Sequence, residues 1–120
     1  RKFDVIFAGD FIEHIYQHGT FLKVIKKHLK KNGYFILTTP NCFYYKNILD
    51  IILHGEPRIS KYNYGLFYPD SLRKLLEDNS FEIIRFEWIN MASKASLGYI
   101  PIRFRKALSS QFLMVCKKRI

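Results

Sequence analysis

The spacing of apolar residues changes several times along the chain, and each change predicts a different element. The almost continuous apolar run Phe3–Ala8 is typical of a strand in a parallel sheet covered on both faces. From Thr20 to Lys31 apolar residues recur at the helical period, with Thr20 as N-cap and Asn32-Gly33 as a left-handed stop. Tyr34–Thr39 follows as a second strand, and Pro40-Asn41 ends it. Strand, helix and strand form a βαβ unit, so the two strands should be parallel.

The second half of the chain predicts a helix and then a pair of strands. Pro69-Asp70-Ser71 opens the helix, which has leucines on one face and is expected to end near Asp78-Asn79. Strands are predicted over Phe81–Ile89 and Gln111–Lys118. Because no clear crossover separates these two strands, we expect an antiparallel pair.

Two segments lack a strand pattern. Residues 42–68 are rich in aromatic side chains and contain a short helical pattern, which indicates an insertion or lid. Residues 91–110 form a basic connector between the last two strands. We therefore predict residues 1–120 to be a single domain of the α/β class. Its mixed sheet should have about four strands, two parallel and then a terminal antiparallel pair, with flanking helices.

Length and composition agree with one globular unit. The chain has 120 residues and a hydrophobic fraction of 48%, enough for one core and too short for two ordinary domains. No apolar run approaches the roughly 20 residues that span a bilayer, and the first residues do not resemble a secretory signal. We expect a cytoplasmic location.

The chain is strongly basic. Its formal net charge is +10, which would attract phosphates, anionic lipid surfaces or acidic substrates without choosing among them. Lys23, Lys26, Lys27 and Lys30 recur at helical spacing, which is typical of the solvated face of an amphipathic helix. Much of the charge is therefore expected to face water.

The two cysteines suggest neither a disulfide framework nor a zinc site. Cys42 and Cys116 lie far apart, without the spacing of metal ligands. We predict two small buried thiols.

The βαβ unit predicts where a ligand would bind. In parallel sheets ligands collect beyond the carboxyl ends of the strands, which makes Gly9–His14 and Thr39–Cys42 the candidate site. Asn41 has two interpretations: it is either the N-cap of a following helix or a hydrogen-bond donor to a substrate.

The chain resembles the class I S-adenosylmethionine-dependent methyltransferases of the ubiquinone-biosynthesis O-methyltransferase kind. The resemblance extends from residue 3 to about residue 89 and is fairly specific. The residues that carry it are Phe3-Asp4-Val5-Ile6, Asp10-Phe11-Ile12-Glu13-His14-Ile15, Phe21-Leu22 with Leu29 and Gly33, Thr38-Thr39-Pro40-Asn41, and Ser71 to Leu76 before Phe81. It implies a partial Rossmann-like methyltransferase fold, of which this chain would be the carboxyl-terminal half.

The same resemblance implies roles for four residues after the first strand. Gly9 would approach the methionine part of S-adenosylmethionine, with Asp10 beside it. Glu13 and His14 would face the substrate as catalytic residues. Two interpretations of His14 stay open. It either removes a proton from the substrate or contacts it, which suits an imidazole because its pKa lies near neutral pH, or it packs the loop after the strand.

Three further residues are candidate substrate contacts: Asn41, Tyr44 and Tyr64. The aromatic stretch that contains the two tyrosines is more often core or lid than a platform for stacking bases. Relatives usually have glycine where this chain has Ser80, so Asn79 is expected to supply the left-handed residue of that turn.

A divalent metal is an alternative that we do not favour. In metal-using relatives an acid precedes Glu-His, as Asp10 precedes Glu13 and His14 here, and such ligands suit Mg²⁺ or Mn²⁺. Those relatives have a further histidine in the region where this chain has Asn63 and Tyr64, which weakens the case.

The resemblance also predicts that the cofactor site is incomplete. The family holds its cofactor with a glycine-rich turn after an earlier strand, and these residues contain no such turn. We therefore expect a fragment that is inactive alone, with the missing amino-terminal half or a partner chain lying along the 3–8 strand.

The predicted function is methyl transfer from S-adenosylmethionine to a small-molecule or glycan acceptor, most simply on oxygen. One alternative is a non-catalytic basic module that binds nucleic acid or an anionic membrane through residues 94–106 and 117–119. Another is a degenerate pseudoenzyme that serves as a partner subunit. We expect no specific nucleic-acid partner and at most weak association with anionic membranes.

Overall fold

The described residues form four strands and four α-helices. The computed structural model describes residues 1–56, 65–91 and 102–119, and for residues 90, 91 and 102–104 it describes only the backbone. In chain order the elements are β1 (Phe3–Gly9), a 3₁₀ turn (Ile12–His14), α1 (His18–His28), β2 (Leu29–Pro40), α2 (Tyr45–His54), α3 (Pro69–Asp78), β3 (Phe81–Met91), α4 (Ile102–Leu108) and β4 (Ser109–Lys118).

The strands form one mixed sheet with the order β1-β2-β4-β3. β1 and β2 are parallel, whereas β4 runs antiparallel to both of its neighbours. The predicted α/β fold, with one parallel pair and a terminal antiparallel pair, is confirmed. Because β4 lies between β2 and β3, the last strand of the chain completes the centre of the sheet.

One core joins the sheet to α1 and α3. Leu22 of α1 and Leu72 of α3 are fully buried, as are Phe35 and Phe112 of the central strands. Aromatic rings connect the layers, since the ring centres of Phe35 and Phe81 are 5.6 Å apart. Burial of such side chains is the main stabilising contribution to a sheet with flanking helices.

The bounds of α1 differ from the prediction. The helix begins at His18, with Gln17 as N-cap, so the prediction that Thr20 caps it was wrong. Thr20 instead lies in the first turn and donates a hydrogen bond from its hydroxyl to Gln17 Oε1 at 3.3 Å. The helix ends at His28, because Leu29 already has extended backbone angles and starts β2.

The predicted left-handed stop at Asn32-Gly33 was also wrong, because both residues lie inside β2. The register with β1 moves from Phe3↔Leu29 to Val5↔Tyr34, so β2 carries extra residues at this point. A Cβ on Gly33 would lie 2.9 Å from the backbone oxygen of Asp4. Gly33 therefore permits close approach of the two strands and does not form a turn.

The turn between α3 and β3 uses a different residue from the one expected. Asn79 has a φ of −100°, whereas Ser80 has a φ of +66°. The expectation that Asn79 is the left-handed residue was therefore wrong, and its side chain caps the helix instead. Its Nδ2 donates a hydrogen bond to Leu75 O at 2.8 Å, at the end of α3.

The two segments without strand pattern each contain a helix. The short helical pattern in residues 42–68 corresponds to α2, whose apolar side chains are largely exposed. The basic connector of residues 91–110 contains α4, which the sequence reasoning missed. Residues 57–64 and 92–101, the remainder of both segments, lie outside the described part. None of the described helices is long and apolar enough to cross a membrane.

Candidate functional site

The carboxyl ends of β1 and β2 lie side by side, as predicted for a ligand site. Gly9 is in register with Thr38, and the backbone N–H of Asp10 donates to Thr38 O at 3.0 Å and faces Thr38 Oγ1 at 3.1 Å. Further along, Thr39 Oγ1 donates to Glu13 Oε2 at 3.0 Å. The two predicted segments thus form one continuous wall at the carboxyl end of the parallel strands.

Gly9 and Asp10 end β1 with an exposed backbone. Asp10 has a φ of +48°, in the left-handed region that aspartate tolerates better than most side chains. Its carboxylate accepts hydrogen bonds from Thr38 Oγ1, at 3.4 Å, and from Gln111 Nε2. The sheet therefore holds an accessible negative charge at the mouth of the parallel pair.

Glu13 is a buried carboxylate in the 3₁₀ turn after β1. Its side chain is only 2% exposed, and a buried charge of this kind is tolerated only with hydrogen-bond partners. The Thr39 hydroxyl supplies one, while Glu13 Oε1 lies 3.7 Å from His14 Nε2. His14 is 40% exposed, so its imidazole faces solvent while the carboxylate behind it is enclosed. This arrangement can orient an imidazole at the end of β1.

The 3₁₀ turn itself is anchored from below. Ile12 is fully buried, and its carbonyl oxygen is 3.1 Å from His18 Nε2. The His18 ring also packs edge-on against Phe67, with 5.4 Å between ring centres. His18 therefore supports the turn.

Asn41 is buried and fully bonded. Its Nδ2 donates to Lys106 O at 2.5 Å and to Ser109 O at 2.8 Å, and its Oδ1 accepts from Phe43 N at 3.1 Å. The N-cap residue of α2 is Tyr44, so the N-cap interpretation of Asn41 was wrong. Because both amide hydrogens already bind carbonyls of the α4–β4 corner, this side chain holds that corner against β2. Contact between Asn41 and a substrate stays a prediction, and both of the amide hydrogens that could make it are already bonded.

The two predicted tyrosine contacts differ in what can be said of them. Tyr44 is half-buried at the start of α2, with its ring centre 5.0 Å from that of Tyr45. It lies four residues beyond the end of β2, near the candidate wall. Tyr64 lies outside the described residues.

Three residues of the wall were given no role from sequence. Thr38 and Thr39 were recognised as part of a family motif, but their hydroxyls were given no role. Gln111, which bonds Asp10, is distant in sequence and approaches it only because β4 inserts beside β2. No local pattern could have identified this pair.

Neither a metal cluster nor an activated thiol is present within the described ranges. No group of three or more His, Cys, Asp or Glu side chains there is placed to hold a metal ion, and Asp10 and Glu13 each bond a different neighbour. Cys116 is buried, as predicted, whereas Cys42 is only half-buried. Burial raises the pKa of both thiols, for Cys116 to about 12, which keeps them neutral and unreactive.

Comparison with known families agrees with this geometry. The profile described as a methyltransferase domain matches residues 1–100. The chain belongs to this methyltransferase family. The predicted family membership is thereby confirmed, and the methyltransferase-like fold agrees with it.

One curated relative gives a more detailed comparison. The ubiquinone biosynthesis O-methyltransferase of Bradyrhizobium diazoefficiens is 32% identical over 115 residues, which are 92% of this chain and 42% of the relative. The chain thus spans less than half the length of that protein.

Solved structures share the fold at lower identity. An S-adenosylmethionine-dependent methyltransferase from Clostridium acetobutylicum matches 100% of this chain and 60% of its own with a TM-score of 0.64 and 14% identity. A second, from Archaeoglobus fulgidus, matches 98% of this chain and 60% of its own with a TM-score of 0.66 and 14% identity.

Proposed function

We propose that this chain forms the substrate-facing part of an S-adenosylmethionine-dependent methyltransferase that methylates a hydroxyl oxygen of a small molecule or glycan. Membership of the methyltransferase family supports the reaction class. The printed name of the Bradyrhizobium relative supports oxygen as the acceptor. The observation that carries the proposal is the buried Glu13 behind the exposed His14, beside Gly9 and Asp10 at the carboxyl ends of the parallel strands.

The residues at the end of β1 fit the cofactor. S-adenosylmethionine carries a cationic amine and a sulfonium, and when bound it supplies an electrophilic methyl group. Gly9 exposes backbone where a ligand can approach closely, and the Asp10 carboxylate supplies complementary charge. Among these residues only Gly9 and Asp10 are assigned to the cofactor.

His14 is assigned the proton of the acceptor hydroxyl. An imidazole suits this step because its ordinary pKa lies near neutral pH. Glu13, held by the Thr39 hydroxyl, orients the imidazole and stabilises it once protonated. Positioning of the acceptor oxygen in line with the methyl group contributes the remainder of the acceleration.

The edge of β1 is proposed to pair with a further strand, from the cofactor-binding half of the domain or from a partner chain. Among the described residues β1 pairs only with β2, and Val5 and Phe7 are 51% and 63% exposed. Apolar edge strands of this kind are normally covered. Hydrogen exchange on the full-length polypeptide tests this: protection of the β1 amides that do not bond β2 supports the proposal, and rapid exchange of those amides contradicts it.

A transfer assay tests the catalytic assignment. We would follow labelled methyl transfer from S-adenosylmethionine to a panel of catechols and sugars, using the full-length polypeptide. His14→Ala should lower kcat by about 10²-fold or more, the usual contribution of a general base, while cofactor binding measured by calorimetry stays unchanged. Asp10→Asn should weaken cofactor binding instead.

His28→Ala is the matched control. His28 lies at the far end of α1 and its Nδ1 is 2.9 Å from Val24 O, so its removal should leave kcat unchanged. Equal activity of the His14 and His28 variants would contradict the role of His14. If the unaltered polypeptide binds the cofactor but transfers no methyl group to any acceptor, the result would favour the pseudoenzyme alternative.

A further inference from the structure

Six cationic side chains surround one concavity at the end of the sheet opposite the candidate site. Its volume is about 490 Å³, and its lining residues are Lys23, Lys26, Lys27, Lys31, Lys118 and Arg119. We call it the cationic pocket. The six lining residues come from α1, from the start of β2, and from the end of β4 with the residue that follows it. These three segments meet because α1 leads directly into β2, while β4 runs antiparallel to β2 and ends where β2 begins. The helix spacing alone predicted only a solvated face.

The cations of the pocket lack acidic partners. Elsewhere on the surface, lysines pair with carboxylates, as Lys30 does with Asp4 at 2.9 Å and Lys74 with Asp78 at 3.2 Å. Within the described ranges, none of the six lining residues forms an ion pair, and the lining contains no acid. Six neighbouring positive charges repel one another, so binding of an anion is favoured.

One of these cations is fixed in place. Lys118 Nζ donates to Leu29 O at 2.5 Å and to Lys26 O at 3.4 Å, where the carbonyl end of α1 meets β2. A cation is stabilised at this end of a helix, so the ammonium group stays in the pocket instead of moving away from its neighbours. The pocket therefore contains at least one preorganised cation.

The lining indicates which anion fits. It consists entirely of lysine and arginine, with no aromatic or apolar side chain that could enter a bilayer or stack on a base. The exposed apolar side chains of α2, such as Ile52 and Leu53, lie beyond the other end of the 12-residue β2. At about 3.3 Å per residue that strand separates the two surfaces by roughly 40 Å, so the apolar side chains of α2 do not lie beside the pocket.

We infer that the cationic pocket binds the phosphodiester backbone of a nucleic-acid strand without reading its sequence. Lysine and arginine neutralise successive phosphates, whereas reading of bases requires amide, aromatic or bidentate contacts in register with base edges. The pocket and the Gly9–His14 wall lie at opposite ends of the sheet, so nucleic acid there leaves the wall open. The inference does not depend on the proposed methyl transfer.

Fluorescence anisotropy with a labelled RNA strand of about 20 nucleotides and mixed sequence tests the inference on the full-length polypeptide. Affinity should fall steeply between about 50 mM and about 200 mM salt. The double variant Lys23→Glu, Lys27→Glu should bind at least about tenfold more weakly. Its slope of log K against log salt should be shallower by roughly 1.4, at about 0.7 for each lost phosphate contact.

The control changes the same charge elsewhere. Lys46→Glu, Lys74→Glu also reverses two exposed helix lysines but leaves the pocket intact, so its affinity and slope should match the unaltered protein. Circular dichroism confirms that both variants are folded. If the α1 variant does not fold, Lys23→Gln, Lys27→Gln replaces it, with a smaller expected loss.

Four outcomes would overturn the inference. They are no RNA binding at the lowest salt, an equal loss in the control, stoichiometric binding of tripolyphosphate without RNA binding, and pocket-dependent sedimentation with vesicles of three parts phosphatidylcholine to one part phosphatidylglycerol without RNA binding. The last two would assign the pocket to a small polyanion or to a lipid surface.

Discussion

The two edges of the sheet are constructed differently. Along β3 the exposed positions Glu82, Arg85 and Glu87 are charged, and Arg85 Nη2 lies 2.9 Å from Glu87 Oε1. A register shift between Ile83 and Arg85 adds a bulge, which leaves Ile84 as the exposed apolar exception. Charges and bulges are the means by which natural edge strands avoid pairing with other chains.

Along β1 the exposed positions are apolar. Phe3, Val5 and Phe7 project into solvent, and Asp4 with its partner Lys30 is the main charged feature. β3 is therefore a finished edge adapted to water, whereas β1 has the composition of a strand covered on both faces. This difference is the reason for proposing that β1 pairs further in the assembled protein.

The largest expected effect comes from comparing a buried side chain of β3 with an exposed side chain of β1. Phe81 starts β3 and is fully buried, so Phe81→Ala should lower the free energy of unfolding by about 3–5 kcal/mol. Phe7→Ala in the 120-residue chain should cost no more than about 0.5 kcal/mol, because the ring is 63% exposed. Urea denaturation measures both. A comparable loss for Phe7 would mean that the β1 edge is already covered, for example by a second copy.

The next effect concerns Cys116, which lies opposite Ile83 on the inner side of the β3 ladder. Burial raises the pKa of its thiol to about 12, well above the usual value for cysteine. Above pH about 9 the unfolded chain loses this proton while the folded chain keeps it, so stability falls as pH rises and is unaffected below that range. The slope is about 1.4 kcal/mol per pH unit, giving roughly 2–3 kcal/mol by pH about 11.

The variant Cys116→Val isolates this contribution. Because it has no ionisable group, its unfolding free energy should fall less between pH about 9 and about 11 than that of the unaltered chain. Titration with a thiol reagent under native conditions should also modify Cys42 well before Cys116, since only Cys42 is partly accessible. Identical alkaline slopes for the two proteins would contradict the assignment.

Two glycines test how tightly β1 is held. Gly33→Ala would place Cβ 2.9 Å from Asp4 O, a backbone atom that cannot move aside, so we expect a loss of about 1–3 kcal/mol. In Gly9→Ala the nearest atom, at 2.8 Å, belongs to the Phe7 ring, which is exposed and free to rotate. Gly9→Ala should therefore change stability by less than about 0.5 kcal/mol, while weakening cofactor binding if the proposed site is correct.

The sequence was most informative where one element determines the outcome. Periodicity and the βαβ argument predicted the parallel pair, the antiparallel pair and the adjacency of Gly9–His14 to Thr39–Cys42. It was less informative where distant residues meet. The role of Asn41 depends on carbonyls of Lys106 and Ser109, and the cationic pocket depends on the end of β4. Such contacts follow from strand order and leave no local pattern.

The smallest expected effect concerns Ser80, in the turn that precedes β3. It also tests the corrected prediction for the left-handed residue of this turn. Ser80 adopts a φ of +66°, a conformation that costs about 1–2 kcal/mol for a residue with a Cβ. Glycine avoids that cost but has more freedom to lose on folding, about 0.5–1 kcal/mol, so Ser80→Gly should stabilise the chain by roughly 0.5 kcal/mol.

Asn79→Gly provides the opposite case in the same turn. Asn79 has a φ of −100°, and its Nδ2 donates to Leu75 O at 2.8 Å, so glycine there removes a bond and adds freedom to the unfolded chain. We expect a loss of about 1 kcal/mol by urea denaturation. Had Asn79 been the left-handed residue, as we expected from the sequence, the two signs would be reversed. A stabilising Asn79→Gly would therefore show that Asn79, and not Ser80, is the left-handed residue of this turn.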